Sequence, residues 1–135
     1  MQISAEKYSN VVVAGAIYDL ITTSGFATPW TFAVVHKYIG MVYPLPPFEP
    51  MHVMFANLLG SVVVIWAFFR IRNPKPALGL FDSISRTLCL TWELYYVIAV
   101  HGSPVVWFYA AFEFLFGVLE GYGYWSLQKN QESVS

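Results

Sequence analysis

The sequence predicts an all-α membrane protein: a four-helix transmembrane bundle with both termini in the cytoplasm and a short interfacial helix after the first span. Of its 135 residues, 57% are hydrophobic and only 11% are charged, whereas about a quarter of the residues of a soluble domain are charged. Four apolar segments are separated by clusters of proline, glycine and charge. At this length we expect one integral-membrane domain over residues 1–135.

The first span is predicted over residues 8–23, and a shorter helix follows it. Thr28 suits a helix cap and Pro29 suits a first turn, so residues 30–41 should form an interfacial helix. Its aromatic residues fit the belt at a membrane surface. Four prolines among residues 44–50 are incompatible with regular helix, so this segment should be an external loop.

Three further spans are predicted over residues 51–69, 78–101 and 104–125. Each approaches the length of about 20 residues that crosses a bilayer core. A serine followed by a proline marks the start of the last span. Residues 126–135 are polar and rich in Gln and Ser, which predicts a short disordered tail.

Orientation follows from the lysines and arginines. With four spans, six of the seven Lys and Arg residues fall toward the side of the termini, and Lys37 alone falls on the other. The positive-inside rule places the termini and the arginine-rich turn in the cytoplasm. We therefore predict a multi-pass protein of the cell membrane, the inner membrane if the source is bacterial. A net charge of −1 excludes a nucleic-acid partner.

Ionisable residues interrupt the apolar segments and need an explanation. A charge near the bilayer centre costs roughly 3 kcal/mol or more, so such residues normally face the bundle interior or pair with one another. Asp82 and Arg86 are four residues apart on one helix face, and Glu120 is predicted at a similar depth on the next helix. The sequence therefore predicts structural ion pairs among these three residues.

A second polar layer is predicted toward the outer side of the membrane. Its members are Asp19, Asn57, Trp92, Glu93 and Glu113. The sequence supplies no cation at the predicted depth of its three carboxylates, which cannot all stay ionised in a low dielectric. Such a layer could transfer a proton, bind a cationic ligand or a metal, or simply donate an interhelical hydrogen bond from a protonated acid. We predict that these five residues bind a ligand.

Histidine and cysteine patterns give no metal motif. His36, His52 and His101 all map to the external end of the bundle, and imidazoles could bind a transition metal. Their spacing matches no recognised metal-binding pattern, and interfacial histidines commonly contact water or headgroups. The single cysteine, Cys89, excludes a site made of several thiolates. We assign no metal, and the cofactor stays unknown.

Three stretches of the sequence resemble a known family. The run over residues 55–70, the stretch 78–82 with Arg86, and residues 112–118 resemble the small four-helix bacterial membrane proteins called BphX-like and DoxX-like. The resemblance implies an accessory membrane role without an established activity. It assigns no functional residue.

Three functions remain open at this point. The leading hypothesis is a non-enzymatic protein that binds a small hydrophobic molecule, or helps to move one, through its polar interior. The layout also resembles EXPERA-type sterol isomerases, which implies proton transfer by Asp19, Glu93 and Glu113 beside Trp92. The third hypothesis is an accessory subunit of a larger membrane complex. The expected partners are the lipid bilayer, a small hydrophobic ligand, and a second copy or another membrane subunit.

Overall fold

The computed structural model describes residues 3–132, with side chains up to residue 130. Over this range the chain is all-α, as predicted, with five α-helices, one 3-10 turn and no strand. The helices are α1 (Ala5–Thr23), α2 (Pro29–Val42), α3 (Pro50–Arg72), α4 (Pro76–Ile98) and α5 (Val106–Glu132), and the 3-10 turn is Ser24–Phe26. Helices α1, α3, α4 and α5 overlap the four predicted spans, and α2 overlaps the predicted interfacial helix.

Caps and prolines set the boundaries around α2. Thr31 donates its backbone N–H to the hydroxyl of Thr28 at 3.2 Å, and Pro29 opens the helix, as the sequence predicts. The chain bends by 98° between the helical stretch that ends at Phe26 and α2. Residues 44–49 form a loop without helix, and α3 begins at Pro50.

The ends of α4 and α5 differ from the prediction. Helix α4 ends at Ile98, three residues early, and His101 adopts a φ of 55° in the turn that follows. The expectation of a disordered tail from residue 126 is wrong as far as Glu132, where α5 ends. Leu, Gln, Lys and Glu favour helix, and Lys129 lies 4.2 Å from the ring centroid of Trp125. Residues 133–135 lie outside the described range.

The chain divides into two compact units, with the division falling inside α1 after Gly15 and again before Asn73. The first unit contains the start of α1 with α4 and α5. Ser83 of α4 donates its hydroxyl to the carbonyl of Gly117 at 2.8 Å, and Gly121 leaves room for the same serine. The absence of a side chain at Gly121 therefore allows the two helices to approach closely. Tyr8 is fully buried and donates to the carbonyl of residue 120 at 2.8 Å.

The second unit, Ala16–Arg72, contains the end of α1, the 3-10 turn, α2 and α3. A Cβ at Gly60 would lie 2.7 Å from the carbonyl carbon of Phe26 and 2.8 Å from the nitrogen of Ala27. Glycine is therefore required where the 3-10 turn crosses α3. Asn57 and Ser61 secure this crossing, because they donate to the carbonyls of Phe26 and Ala27 at 2.7 and 3.3 Å.

Large apolar side chains are exposed on every α-helix. Ile21 on α1 is 75% exposed, Ile65 on α3 is 70% exposed, and Phe114 on α5 is 61% exposed. Within the described range, α3 is the one helix long and apolar enough to cross a membrane by itself, and the bent pair of α1 and α2 could form a second crossing. The protein is thus helical with one or two membrane-spanning candidates. The prediction of a single four-span domain stays a prediction.

Candidate functional site

One arginine occupies the interior of the first unit. Arg86 is 3% exposed, and its Nε lies 2.8 Å from Oδ2 of Asp82 and 3.5 Å from Oε2 of Glu120. Its Nη1 lies 3.2 Å from Oε2 of Glu113, and its Nη2 donates to the carbonyl of Gly15 at 3.3 Å. We call Asp82, Arg86, Glu113 and Glu120 the Arg86 cluster. The structure thus brings together the three residues for which the sequence predicts ion pairs, and adds Glu113.

Helix geometry explains why these side chains converge. Asp82 and Arg86 are separated by one turn of α4, so they share a face. Glu113 and Glu120 are separated by two turns of α5 and also share a face. A Cβ at Gly15 would lie 2.5 Å from Oε1 of Glu120 and 3.3 Å from Nη2 of Arg86, so a side chain there would displace the Glu120 carboxylate. The guanidinium offers five N–H donors in a fixed plane, which suits several carboxylates at once.

A second buried ion pair lies in the second unit. Arg70, near the end of α3, is 0% exposed, and its Nη2 donates to Oδ2 of Asp19 on α1. Its guanidinium also lies 5.8 Å from the ring centroid of Trp66. An aromatic face and a carboxylate therefore both stabilise this buried cation.

The expectation that the outer carboxylates lack a cation is wrong for two of the three. Asp19 pairs with Arg70, and Glu113 pairs with Arg86. The position of a residue in its helix gives the depth of its Cα atom but not that of its side-chain terminus. Arginine side chains are long enough to meet an acid at a different level.

The other predicted ligand-binding residues do not join either ion pair. Asn57 lies in the second unit, where it bonds to the 3-10 turn. Trp92 is 61% exposed. Within the described range, Oε2 of Glu93 is buried and has no hydrogen-bond partner, and its carboxylate interacts electrostatically with Glu113. As a ligand-binding set, the five residues remain a prediction.

The histidines of the second unit belong to an aromatic cluster. His36 stacks on Phe32 with ring centroids 6.1 Å apart, and its Nε2 lies 3.2 Å from the carbonyl oxygen of Pro46. Phe48 meets the rings of both His36 and His52 edge to face, with centroids 5.2 and 6.3 Å apart. These contacts hold the proline-rich loop against α2 and the start of α3. Among the described residues, no group of three His, Cys, Asp or Glu side chains could hold a metal ion.

A groove of about 500 Å³ opens beside α3 in the second unit, and we call it the α3 groove. Its polar lining consists of Asn57 and Ser61, and the other lining residues are apolar. The groove is lined by Pro29, Phe48, Pro50, Val53, Met54, Asn57, Leu58 and Ser61. The sequence predicts a role for Asn57, but it gives no signal for the groove itself. The groove depends on how the proline-rich loop folds against α3.

Two smaller grooves adjoin each other on the surface of α4 and α5. Their volumes are about 340 and 230 Å³, and they share Leu90 and Phe114. Glu113 and Thr87 line the smaller one, which places one carboxylate of the Arg86 cluster at its wall. The larger of the two is lined by apolar residues alone. The α3 groove combines the largest of these volumes with two neutral polar side chains, so it is the better candidate for a binding site.

No protein-family model, no curated protein and no solved structure matches this chain. The chemistry of the α3 groove and of the buried ion pairs therefore carries the functional interpretation.

Proposed function

We propose that this chain is an integral membrane protein in which α1, α3, α4 and α5 are the four spans. The distribution of its side chains supports this proposal. Arg70, Asp82, Arg86 and Glu120 are at most 3% exposed, while large apolar side chains cover the outside of every α-helix. Charged residues are almost never fully buried in soluble proteins unless paired, and extensive apolar surfaces mark contact with a membrane or partner. A lipid environment accounts for both features.

The buried ion pairs meet the main requirement of such a protein. In a bilayer, charged side chains face the interior and pair with one another. The Arg86 cluster neutralises the charges that α4 and α5 place in the interior, so the outer faces of these helices can be apolar. The Arg70–Asp19 pair does the same for α1 and α3. Trp30 and Tyr38 are 78% and 63% exposed on α2, which suits an interfacial helix.

Within this membrane protein, the α3 groove binds a small hydrophobic molecule. The single observation that carries this function is the groove itself, at about 500 Å³ with an apolar lining and two polar side chains. Sites for small molecules typically have about 300–1,000 Å³ and a mostly apolar wall with few polar groups. Binding in this groove leaves the carboxylates to stabilise the bundle. The resemblance to BphX-like and DoxX-like proteins stays an expectation and implies no particular ligand.

Filling the groove should prevent binding. We expect Val53→Phe to reduce saturable labelling by a photoreactive decanol about tenfold. The phenylalanine ring would occupy space that the ligand needs, and such overpacking weakens binding by about 1–3 kcal/mol. The measurement uses the purified protein in phosphatidylcholine vesicles. Labelled peptides are identified by mass spectrometry, and unlabelled decanol defines the saturable part.

Val62→Phe is the matched control on the same helix. Val62 is 67% exposed and does not line the groove, so the same substitution there should leave labelling unchanged. Equal labelling of the parent and the Val53→Phe protein would contradict the proposed function. So would saturable labelling that maps only outside α3 and the neighbouring loop.

A further inference from the structure

The two polar side chains of the α3 groove each donate a hydrogen bond to the backbone of the protein. Asn57 donates from Nδ2 to the carbonyl oxygen of Phe26 at 2.7 Å. Ser61 donates its one hydroxyl proton to the carbonyl oxygen of Ala27 at 3.3 Å. Both bonds run to the 3-10 turn, so they fix the orientation of the two side chains in the groove wall.

Most of the hydrogen-bonding sites that remain on these two side chains are acceptors. Oδ1 of Asn57 has two lone pairs and no donor among the side chains described up to residue 130, and Oγ of Ser61 keeps its acceptor capacity. Serine has no second proton to give, and the amide of Asn57 keeps one N–H. A ligand group that donates a hydrogen bond therefore complements this wall better than one that only accepts.

The groove offers no charge to a ligand. None of its lining residues is ionisable. Elsewhere in the same unit, the buried cation of Arg70 is held by Asp19. Glu49 lies between two lining residues in the sequence, but its side chain is exposed and does not line the groove. A carboxylate or ammonium group placed against this wall would lose its water without gaining a counter-charge, which is strongly unfavourable.

We propose that the α3 groove selects an uncharged hydrophobic alcohol, with its hydroxyl donating to Oδ1 of Asn57. The proposal rests on the function proposed above and specifies its ligand class. The apolar body of the alcohol lies along Val53, Met54 and Leu58, which line the same helix face. Selectivity then comes from one donated hydrogen bond and from the absence of charge.

Competition against the photoreactive decanol tests this ligand class. The competitors are decanol, decyl methyl ether, decane, decanoate and decylamine, each titrated against the probe and compared by its mole fraction in the vesicles. We expect decanol to displace the probe at about fivefold lower mole fraction than the ether, which has an oxygen but no donor. Decanoate and decylamine should be weaker than decanol by about tenfold or more.

Asn57→Leu should remove the preference for decanol over the ether while leaving displacement by decane unchanged. Ser61→Ala, which is less disruptive to the wall, should leave most of that preference in place. Equal competition by decanol and the ether in the parent would overturn the ligand class, as would tighter competition by either charged compound. In both cases the proposed function survives if Val53→Phe still blocks labelling. Labelling insensitive to Val53→Phe would overturn both proposals.

Discussion

Replacing Arg86 by methionine should destabilise the protein by about 3–5 kcal/mol, enough to remove most of the folded material. The guanidinium is 3% exposed and contacts Asp82, Glu113 and Glu120 within 3.5 Å. Without it, three carboxylates in a low-dielectric interior lose the guanidinium that neutralises them. The measurement is the melting temperature, with the fraction of monodisperse protein after extraction in mild detergent.

Arg72→Met provides the matched control, because Arg72 is exposed at the end of α3. It should melt like the parent. A rescue variant adds the neutral substitutions Asp82→Asn, Glu113→Gln and Glu120→Gln to Arg86→Met. It should recover much of the loss, since replacing a whole buried ion pair is often close to neutral. A parent-like melting temperature for Arg86→Met alone would mean that the cluster does not stabilise the fold.

Asp19→Leu should have the second largest effect. Arg70 is 0% exposed, so Asp19→Leu removes a negative charge from direct contact with a fully buried cation. We expect a loss of several kcal/mol, in the range of about 3–5 kcal/mol. Adding Arg70→Met to Asp19→Leu should restore most of the stability. The melting temperatures of the two single variants and the double variant give the coupling energy directly.

Glu6→Leu is the control for this pair, because Glu6 is an exposed acid on the same helix. It should change the melting temperature little. Additive effects of Asp19→Leu and Arg70→Met would show that the two side chains do not interact, and would contradict the ion pair. A coupling energy well above zero is the expected result.

Most helices could be predicted because their signals are local. Apolar runs, the Thr28 cap and the prolines of residues 44–50 act on their own neighbours, and the observed boundaries of α2 and α3 follow them. The predicted end of the last helix is wrong, because a polar composition after residue 125 indicates disorder when it is considered alone. Intrinsic helix preference and contacts within the helix instead continue it to Glu132.

In the candidate site, too, local contacts could be predicted from the sequence and contacts between distant segments could not. Helical periodicity is enough to predict that Asp82 and Arg86 share a face. It cannot predict that Arg70 meets Asp19, because that contact depends on how two helices are aligned and how far an arginine reaches. The α3 groove depends on tertiary structure even more strongly, since its wall combines α3 with Pro29 and the proline-rich loop.

The arrangement of charges also changes the interpretation of the outer carboxylates. Two of the three pair with arginines, so they contribute to the stability of the bundle rather than forming an unbalanced triad. The ligand binding that we propose is assigned to the neutral α3 groove instead of to these carboxylates. Glu93 remains outside the hydrogen-bonded Arg86 cluster, and Asn57 is the predicted site residue that lines the proposed groove.

Cysteine accessibility in intact cells tests the membrane arrangement most directly. In a Cys89→Ala background, single cysteines at Leu45, Lys75 and Ser103 are treated with a membrane-impermeant maleimide before and after permeabilisation. Four spans predict labelling of Leu45→Cys and Ser103→Cys from outside, and of Lys75→Cys only after permeabilisation. Labelling of Lys75→Cys and Ser103→Cys from the same side would contradict the four-span bundle.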